Sequence, residues 1–260
     1  MEVKLDVKQY VFELLKEDID TYFNLVFNKS SDFMMYIALN HIVINQEMDD
    51  LLNEFNRINN LPQQSGFINP LTRSVLDNCI NLSYQIERIE RSERFKMPDY
   101  VLTNLKLLAY LQVLETKYIF KVFGNTLLIL QDQEPIPDLF DNSRSGNDSL
   151  QKVMEQYDKV KTEYGNQNCI EKWSNLFYID LRNAIAHNDY VIDRETKFTS
   201  IPKAFADSIV GKNKNNEKFT KISYDKDFID ELHFCSKTFN EAFNDVIDNW
   251  FYKLSPFNKT

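Results

Sequence analysis

The chain has 260 residues, enough to bury a substantial core, and its 5 glycines and 7 prolines are few for that length. Long helices with short connections are therefore expected, and a turn-rich β fold is excluded. The formal net charge of −9 excludes a broadly basic surface, so RNA binding would need a local cluster of cations and would weaken with salt. The acidity would equally suit a basic protein partner.

Apolar periodicity predicts an all-α fold of seven helices, whose ends are accurate to a few residues. Ser31 can cap the second helix, and Pro98 can open the fourth. We expect one compact domain over 1–260, in which 1–96 supply additional N-terminal helices. The predicted helices cover residues 6–28, 31–59, 69–96, 98–132, 147–164, 168–187 and 226–253.

Two of these helices carry patterns that invite a functional interpretation. The helix over 98–132 is apolar on more than one side, which is typical of a central core helix, and Gly124 could kink it. The helix over 69–96 ends in a stripe of three arginines that could follow a phosphate backbone. Three glutamates alternate with them, so a solvated face of ion pairs is favoured. The stripe consists of Arg88, Arg91 and Arg94, and the glutamates are Glu87, Glu90 and Glu93.

β-Branched and aromatic residues over 191–201 and 218–224 predict a small hairpin before the last helix. Pro202 makes the pairing of these segments uncertain. Lysines are concentrated in the same region. They could guide RNA, or they could belong to a mobile, solubilising loop, and the sequence supports both interpretations equally. These lysines are Lys203, Lys212, Lys214, Lys218 and Lys221.

The three cysteines and two of the three histidines are expected to serve packing rather than chemistry. Cys79, Cys169 and Cys235 have no CxxC spacing and are expected to be buried in a reducing cytosol. His41 and His233 lie among apolar residues and are expected to be structural. We therefore expect no metal site and no cofactor. The sequence shows no apolar run typical of a signal peptide or a membrane span, so we expect a cytoplasmic protein.

The most informative segment runs from Arg182-Asn183 to His187 and continues through Asn188-Asp189 to Tyr190. Cleavage of RNA without a metal needs proton transfers at the 2′-hydroxyl and the leaving 5′-oxygen, and a fixed positive charge for the phosphorane. Histidine can transfer protons near neutrality, and arginine presents charged donors that match phosphate oxygens. The pair therefore has the residue types that a phosphodiesterase requires.

Helical geometry predicts where these side chains point, at about 100° per residue. Arg182 should face away from the core, and Asn183 should stack with His187 and orient its imidazole. Arg182 and His187 should lie about 140° apart, so they can share one phosphate only if the helix loosens or a second subunit contributes. Asn188-Asp189 favour a helix end at that point. The stripe expected to face the core is Trp173, Phe177, Leu181 and Ala184.

Arg182, Asn183 and His187, at the end of a helix and followed by a polar turn and Tyr190, resemble the RNxxxH form of the HEPN superfamily. The resemblance implies a dimeric helical bundle, with a core over 97–260, in which Arg and His of both subunits line one cleft. Members silenced by adenylylation carry the tyrosine two residues after the histidine. Asp189 occupies that position here, which argues against the modification of Tyr190.

The resemblance implies a metal-independent endoribonuclease that leaves 2′,3′-cyclic phosphate and 5′-hydroxyl ends, in a toxin, abortive-infection or antiviral defence role. His187 would be the general acid or base, Arg182 the phosphate clamp and Asn183 an orienting group, with Asp189 and Tyr190 supporting them. Its partners would be single-stranded or loop RNA, a second copy of the chain and an antitoxin or other regulator. Two alternatives stay open: a non-catalytic HEPN module, and a structural protein in which Arg182 is solvated and His187 caps the helix.

Overall fold

The computed structural model describes residues 7–30, 75–94, 96–136, 139, 146–163, 168–194, 199–202 and 221–254. These residues form mostly helices, which confirms the predicted all-α class. We number the described elements in chain order. They are α1 Val7–Lys29, α2 Val75–Glu90, α3 Asp99–Leu114, α4 Lys117–Leu130, α5 Gly146–Val160, α6 Asn168–Ser174, α7 Ile179–Ala186, β1 Val191–Ile192, β2 Thr199–Pro202, β3 Lys221–Tyr224 and α8 Lys226–Leu254.

The predictions for α1, α5 and α8 are confirmed to within a few residues. The helix predicted over 31–59, and with it His41, lies outside the described residues. The prediction that the following helix reaches residue 96 is wrong, because α2 ends at Glu90. There the amide of Ser92 donates to the carbonyl of Ile89 at 3.1 Å, which closes the last turn before the chain reaches Pro98.

The single helix predicted over 98–132 is wrong: the chain breaks between Leu114 and Lys117 into α3 and α4. The Thr116 hydroxyl donates to the carbonyl of Gln112 at 2.9 Å, a local bond that competes with continued helix. The break lets the two helices serve different parts of the core. Gly124 lies inside α4, which continues through it.

Two apolar clusters of buried residues hold these helices together. The first cluster is built from α1, α4, α5, α6 and the C-terminal part of α8, around Phe123 and Trp173, both 0% exposed. The second cluster joins α3 and α7 to the start of α8, around Leu107 and Leu181. Because α8 contributes to both clusters, it connects the part of the core that contains α1 to the part that contains the motif.

A three-stranded antiparallel sheet in the order β1-β2-β3 precedes α8. Ser200 pairs with Ser223, and Val191 pairs with Ser200 on its other side. The expected hairpin is thus present as β2 and β3, and the segment predicted over 191–201 is divided into β1 and β2. Among the described residues, no helix combines the length and hydropathy needed to cross a membrane.

Candidate functional site

The helix predicted over 168–187 is interrupted after Ser174, so the motif lies on its own short helix, α7. Tyr110 of α3 fixes the interruption: its hydroxyl donates to the carbonyl of Leu176 at 2.7 Å and accepts from the amide of Tyr178 at 3.2 Å. Burial raises the pKa of Tyr110, which keeps this hydroxyl protonated. The core-facing stripe that the sequence predicted is therefore split between two helices: Trp173 packs in the first cluster and Leu181 in the second.

Arg182 is buried, so the alternative in which it is a solvated side chain is wrong. Its side chain is 9% exposed and forms an ion pair with Glu115, at the C-terminal end of α3. The Nε group donates to Glu115 Oε1 at 2.5 Å. Helical geometry located Arg182 opposite the apolar stripe, but it could not reveal that Glu115 lies against that side.

Asn183 is also buried, and its amide oxygen accepts a hydrogen bond from Arg182 Nη1 at 2.8 Å. The Nη2 group of Arg182 is the second nitrogen in the ion pair with Glu115. These contacts engage all three guanidinium nitrogens through three of the five N–H donors. The Arg182 fork is therefore held in one orientation before any ligand arrives.

His187 is the C-terminal cap of α7 and is exposed. The next residue, Asn188, has a backbone φ angle of 55°, which lies in the left-handed region. The amide of Asp189 donates to the carbonyl of Ala184 at 2.7 Å, and that of Asn188 donates to Ile185 at 3.0 Å. This is the Schellman arrangement, and it confirms both the predicted helix end and the capping position of His187.

Asn188 provides a first test of this geometry. We expect Asn188→Ala to lower the free energy of unfolding by about 1 kcal/mol, because a Cβ without a local polar group is disfavoured in the left-handed region. Asn188→Gly should be neutral or stabilising by a few tenths of a kcal/mol, since glycine adopts this conformation readily. Urea unfolding of both variants measures the difference. If both variants lose the same free energy of unfolding, the Schellman arrangement at Asn188 is contradicted.

The side chain of Tyr190 fastens the end of the motif to α3. Its hydroxyl donates to the side-chain oxygen of Asn104, and its ring packs against the second cluster. The ring is half-buried, and burial raises the pKa of Tyr190. Asp189 is exposed, and its backbone amide closes the helix. The contacts described for Tyr190 fit a structural role in which it positions the turn that follows His187.

We expect Tyr190→Phe to lower the free energy of unfolding by about 1 kcal/mol, because the ring is kept and Asn104 loses its donor. Tyr178→Phe is the matched control, since that ring is 40% exposed, and it should change the value by less than about 0.5 kcal/mol. Denaturant unfolding of both variants makes the comparison. If Tyr190→Phe and Tyr178→Phe lower the free energy of unfolding equally, the Tyr190 hydroxyl does not fasten the motif.

The two residues that sequence reasoning missed are Glu115 and Asn104, the α3 partners of Arg182 and Tyr190. No spacing pattern connects them to the motif, because Glu115 and Arg182 are 67 positions apart. Once 98–132 was interpreted as one helix, nothing distinguished Glu115 as the residue at which α3 ends. Only the packing of α7 along α3 identifies both partners.

Most of the lysines proposed to guide RNA fall outside the described residues, namely Lys203, Lys212, Lys214 and Lys218. Lys221 is the first residue of β3 and pairs with Pro202 across the sheet. Cys169 is buried and Cys235 is half-buried, and burial raises the pKa of both thiols. His233 is buried, as predicted. In the part of the chain that is described, no three His, Cys, Asp or Glu side chains are grouped to hold a metal ion.

Comparisons with protein-family models, curated proteins and solved structures found no match to this chain. The likeness to the HEPN superfamily therefore rests on the motif itself and on its position at the end of a helix in an all-α fold.

Proposed function

We propose that this protein is a metal-independent endoribonuclease of the HEPN type that cuts single-stranded or loop RNA. The observation that carries the proposal is the arrangement on α7. A buried arginine is held by two oxygens, one of them the amide oxygen of Asn183, and an exposed histidine caps the same helix one turn further on. The arginine is thus preorganised for an anion, and the histidine is accessible for proton transfer.

In the proposed reaction, a base removes the proton from the 2′-hydroxyl, and the 2′-oxygen attacks the phosphorus. The bond from phosphorus to the 5′-oxygen breaks, and an acid supplies the proton that this oxygen needs. The products are a 2′,3′-cyclic phosphate and a 5′-hydroxyl. His187 supplies one of the two proton transfers, Arg182 neutralises the phosphorane, and Asn183 orients the guanidinium.

The separation of Arg182 from His187 supports a composite site in a dimer. Five positions of an ideal helix separate two side chains by roughly 140° around the axis and about 7.5 Å along it. Arg182 is buried and His187 is exposed, as expected for side chains on different sides of α7. In the proposed dimer, His187 of one subunit acts on a phosphate that Arg182 of the other holds. Arg182 has two further N–H donors that can bind this phosphate beside Glu115.

A second candidate is a non-catalytic module that binds RNA, a nucleotide or a partner protein. The ion pair between Arg182 and Glu115 favours it, because a carboxylate already balances the charge that a phosphate would need. In either case, we propose a cytoplasmic protein in a toxin or antiviral defence system, with an antitoxin or other regulator as its partner.

The decisive experiment incubates the purified protein with a labelled RNA pool in excess EDTA and identifies the product ends. Cyclic phosphate and 5′-hydroxyl ends would support the nuclease. RNA that is bound but stays intact would favour the binding module. RNA that is neither bound nor cut would count against the nuclease and against a module that binds RNA. Because cations that contact phosphates release counterions, binding should weaken as salt is added.

A further inference from the structure

Helix α2 is joined to α3 and α8 through a layer of polar and charged side chains, in which the lysines, the histidine and the serine are buried and the carboxylates are partly exposed. We call this set the charged layer. On α2 it comprises Ser83, Glu87 and Glu90, on α3 Lys106, and on α8 Asp230, His233, Lys237 and Glu241. The alternating pattern of arginines and glutamates predicted a solvated face here. The i,i+4 ion pair between Arg91 and Glu87 at 3.3 Å confirms part of that prediction. The pattern did not predict that Glu87 and Glu90 also pair with buried lysines.

Each of the two buried lysines is shared between α2 and α8. Lys106, with 5% of its side chain exposed, donates to Glu90 on α2 and to Asp230 on α8, the latter at 2.8 Å. Lys237, with 8% exposed, donates to Glu87 on α2 at 2.8 Å and lies 3.6 Å from Glu241 on its own helix. Each lysine therefore has one carboxylate on α2 and a second that belongs to α8.

His233 lies in the middle of the charged layer and is 5% exposed. Its Nε2 is 3.2 Å from the Ser83 hydroxyl of α2. Burial, Lys106 and Lys237 lower the pKa of His233 to about 4, while Glu87 and Asp230 act in the opposite direction. His233 is therefore neutral at neutral pH as long as α2 covers it.

The apolar contacts of α2 can be followed over 80–90. Over 80–90, where its side chains are described, Ile86 is the buried apolar residue, and Ile80, Leu82 and Ile89 are half-buried. None of the α2 residues in this range belongs to the first or second cluster. This part of α2 is therefore held by the charged layer together with a few apolar side chains, whereas the other helices contribute to the two apolar clusters.

We propose that α2 is a detachable helix, which leaves and rejoins the body through the charged layer while the two apolar clusters stay folded. Removal of a carboxylate normally leaves a buried charge without a partner, which is strongly unfavourable. Here the release of α2 leaves Lys106 with Asp230 and Lys237 with Glu241. The exposed surface is then a set of paired charges that water solvates well. This inference does not depend on the proposed nuclease.

Acid and salt should both release α2. When α2 leaves, His233 meets water and its pKa returns towards about 6.5, so the released form binds more protons than the docked form. Docking is therefore strongest above about pH 6.5 and weakens as the pH falls towards 4. Burial would raise the pKa of Asp230, but Lys106 and Lys226 outweigh burial and lower it. Both lysines stay with Asp230 when α2 leaves, so the acid response is assigned to His233. Salt screens the carboxylates at the rim, of which Glu90 is 32% exposed.

Hydrogen–deuterium exchange of the full chain tests this, with rates corrected for the intrinsic effect of pH. Between about pH 7.5 and pH 5, protection over 80–90 should fall at least about tenfold more than protection over 242–250 in the first cluster. Raising the salt to about 1 M at neutral pH should also lower protection selectively over 80–90. Equal losses in both segments, or unchanged protection over 80–90, would overturn the proposal.

Variants separate the ion pairs from the histidine. Glu87→Gln with Glu90→Gln should lower protection over 80–90 by about tenfold at neutral pH, and Glu93→Gln, in the exposed turn after α2, should not. His233→Gln should flatten the pH response, and His187→Gln should leave it intact. If His233→Gln does not fold, the glutamate pair still provides the test. If the double variant Glu87→Gln with Glu90→Gln keeps wild-type protection over 80–90, the proposal is overturned.

Discussion

Replacement of His187 by alanine is expected to lower the rate of RNA cleavage by about a thousandfold, the usual contribution of a positioned acid or base. The free energy of unfolding should change by less than about 1 kcal/mol, because the side chain is exposed and the helix end is closed by backbone bonds. Single-turnover cleavage in excess EDTA, compared with urea unfolding of the same preparations, separates the two effects.

Asp189→Asn is the matched control for this variant, because it alters an adjacent exposed side chain and keeps the backbone bond of residue 189. We expect it to retain cleavage within about tenfold of the wild type. Cleavage by His187→Ala at the wild-type rate would contradict the role of His187. Cleavage that EDTA abolishes in the wild type would contradict the metal-free mechanism.

Mixing two inactive variants tests the composite site. His187→Ala and Arg182→Lys each remove one component, and a heterodimer of the two contains one site in which both components are intact. Co-refolding them should restore a measurable part of the wild-type rate if the site is shared between subunits. No recovery from a sample shown to contain heterodimers would argue against a shared site.

Replacement of Glu115 by alanine is expected to lower the free energy of unfolding by about 2 kcal/mol. The variant leaves Arg182, 9% exposed, as a buried cation that has lost its carboxylate. The loss is below that of a fully buried pair because Glu115 is 37% exposed and water screens it. Urea unfolding measures the value. Glu134→Ala, at an exposed position, should change it by less than about 0.5 kcal/mol.

A double-mutant cycle assigns the effect to the pair. Arg182→Met with Glu115→Leu removes both charges, so it should be less destabilising than the sum of the two single changes by about 1 kcal/mol or more. If the losses in free energy of unfolding from the two single changes simply add, the Glu115 carboxylate acts through a contact other than Arg182. If the nuclease is active, Glu115→Gln should reduce cleavage more than it reduces stability, because Arg182 would lose its fixed orientation.

The sequence by itself determined the helical class and the local structure at the end of the motif. Few glycines and prolines with strong apolar periodicity predicted the helices, and α1, α5 and α8 match that pattern. Asn188 predicted the helix end because asparagine tolerates the left-handed conformation that a Schellman end requires. Both inferences succeeded because they depend on neighbours in the chain.

The tertiary structure alone decided how the motif is surrounded. The breaks at 115–116 and 175–178 arise because consecutive apolar segments pack into different clusters, which periodicity along one helix cannot reveal. For the same reason, Arg182 is buried against Glu115, and Glu87 and Glu90 pair with lysines of distant helices. Burial depends on what packs against a face, and partners far along the chain leave no trace in local spacing.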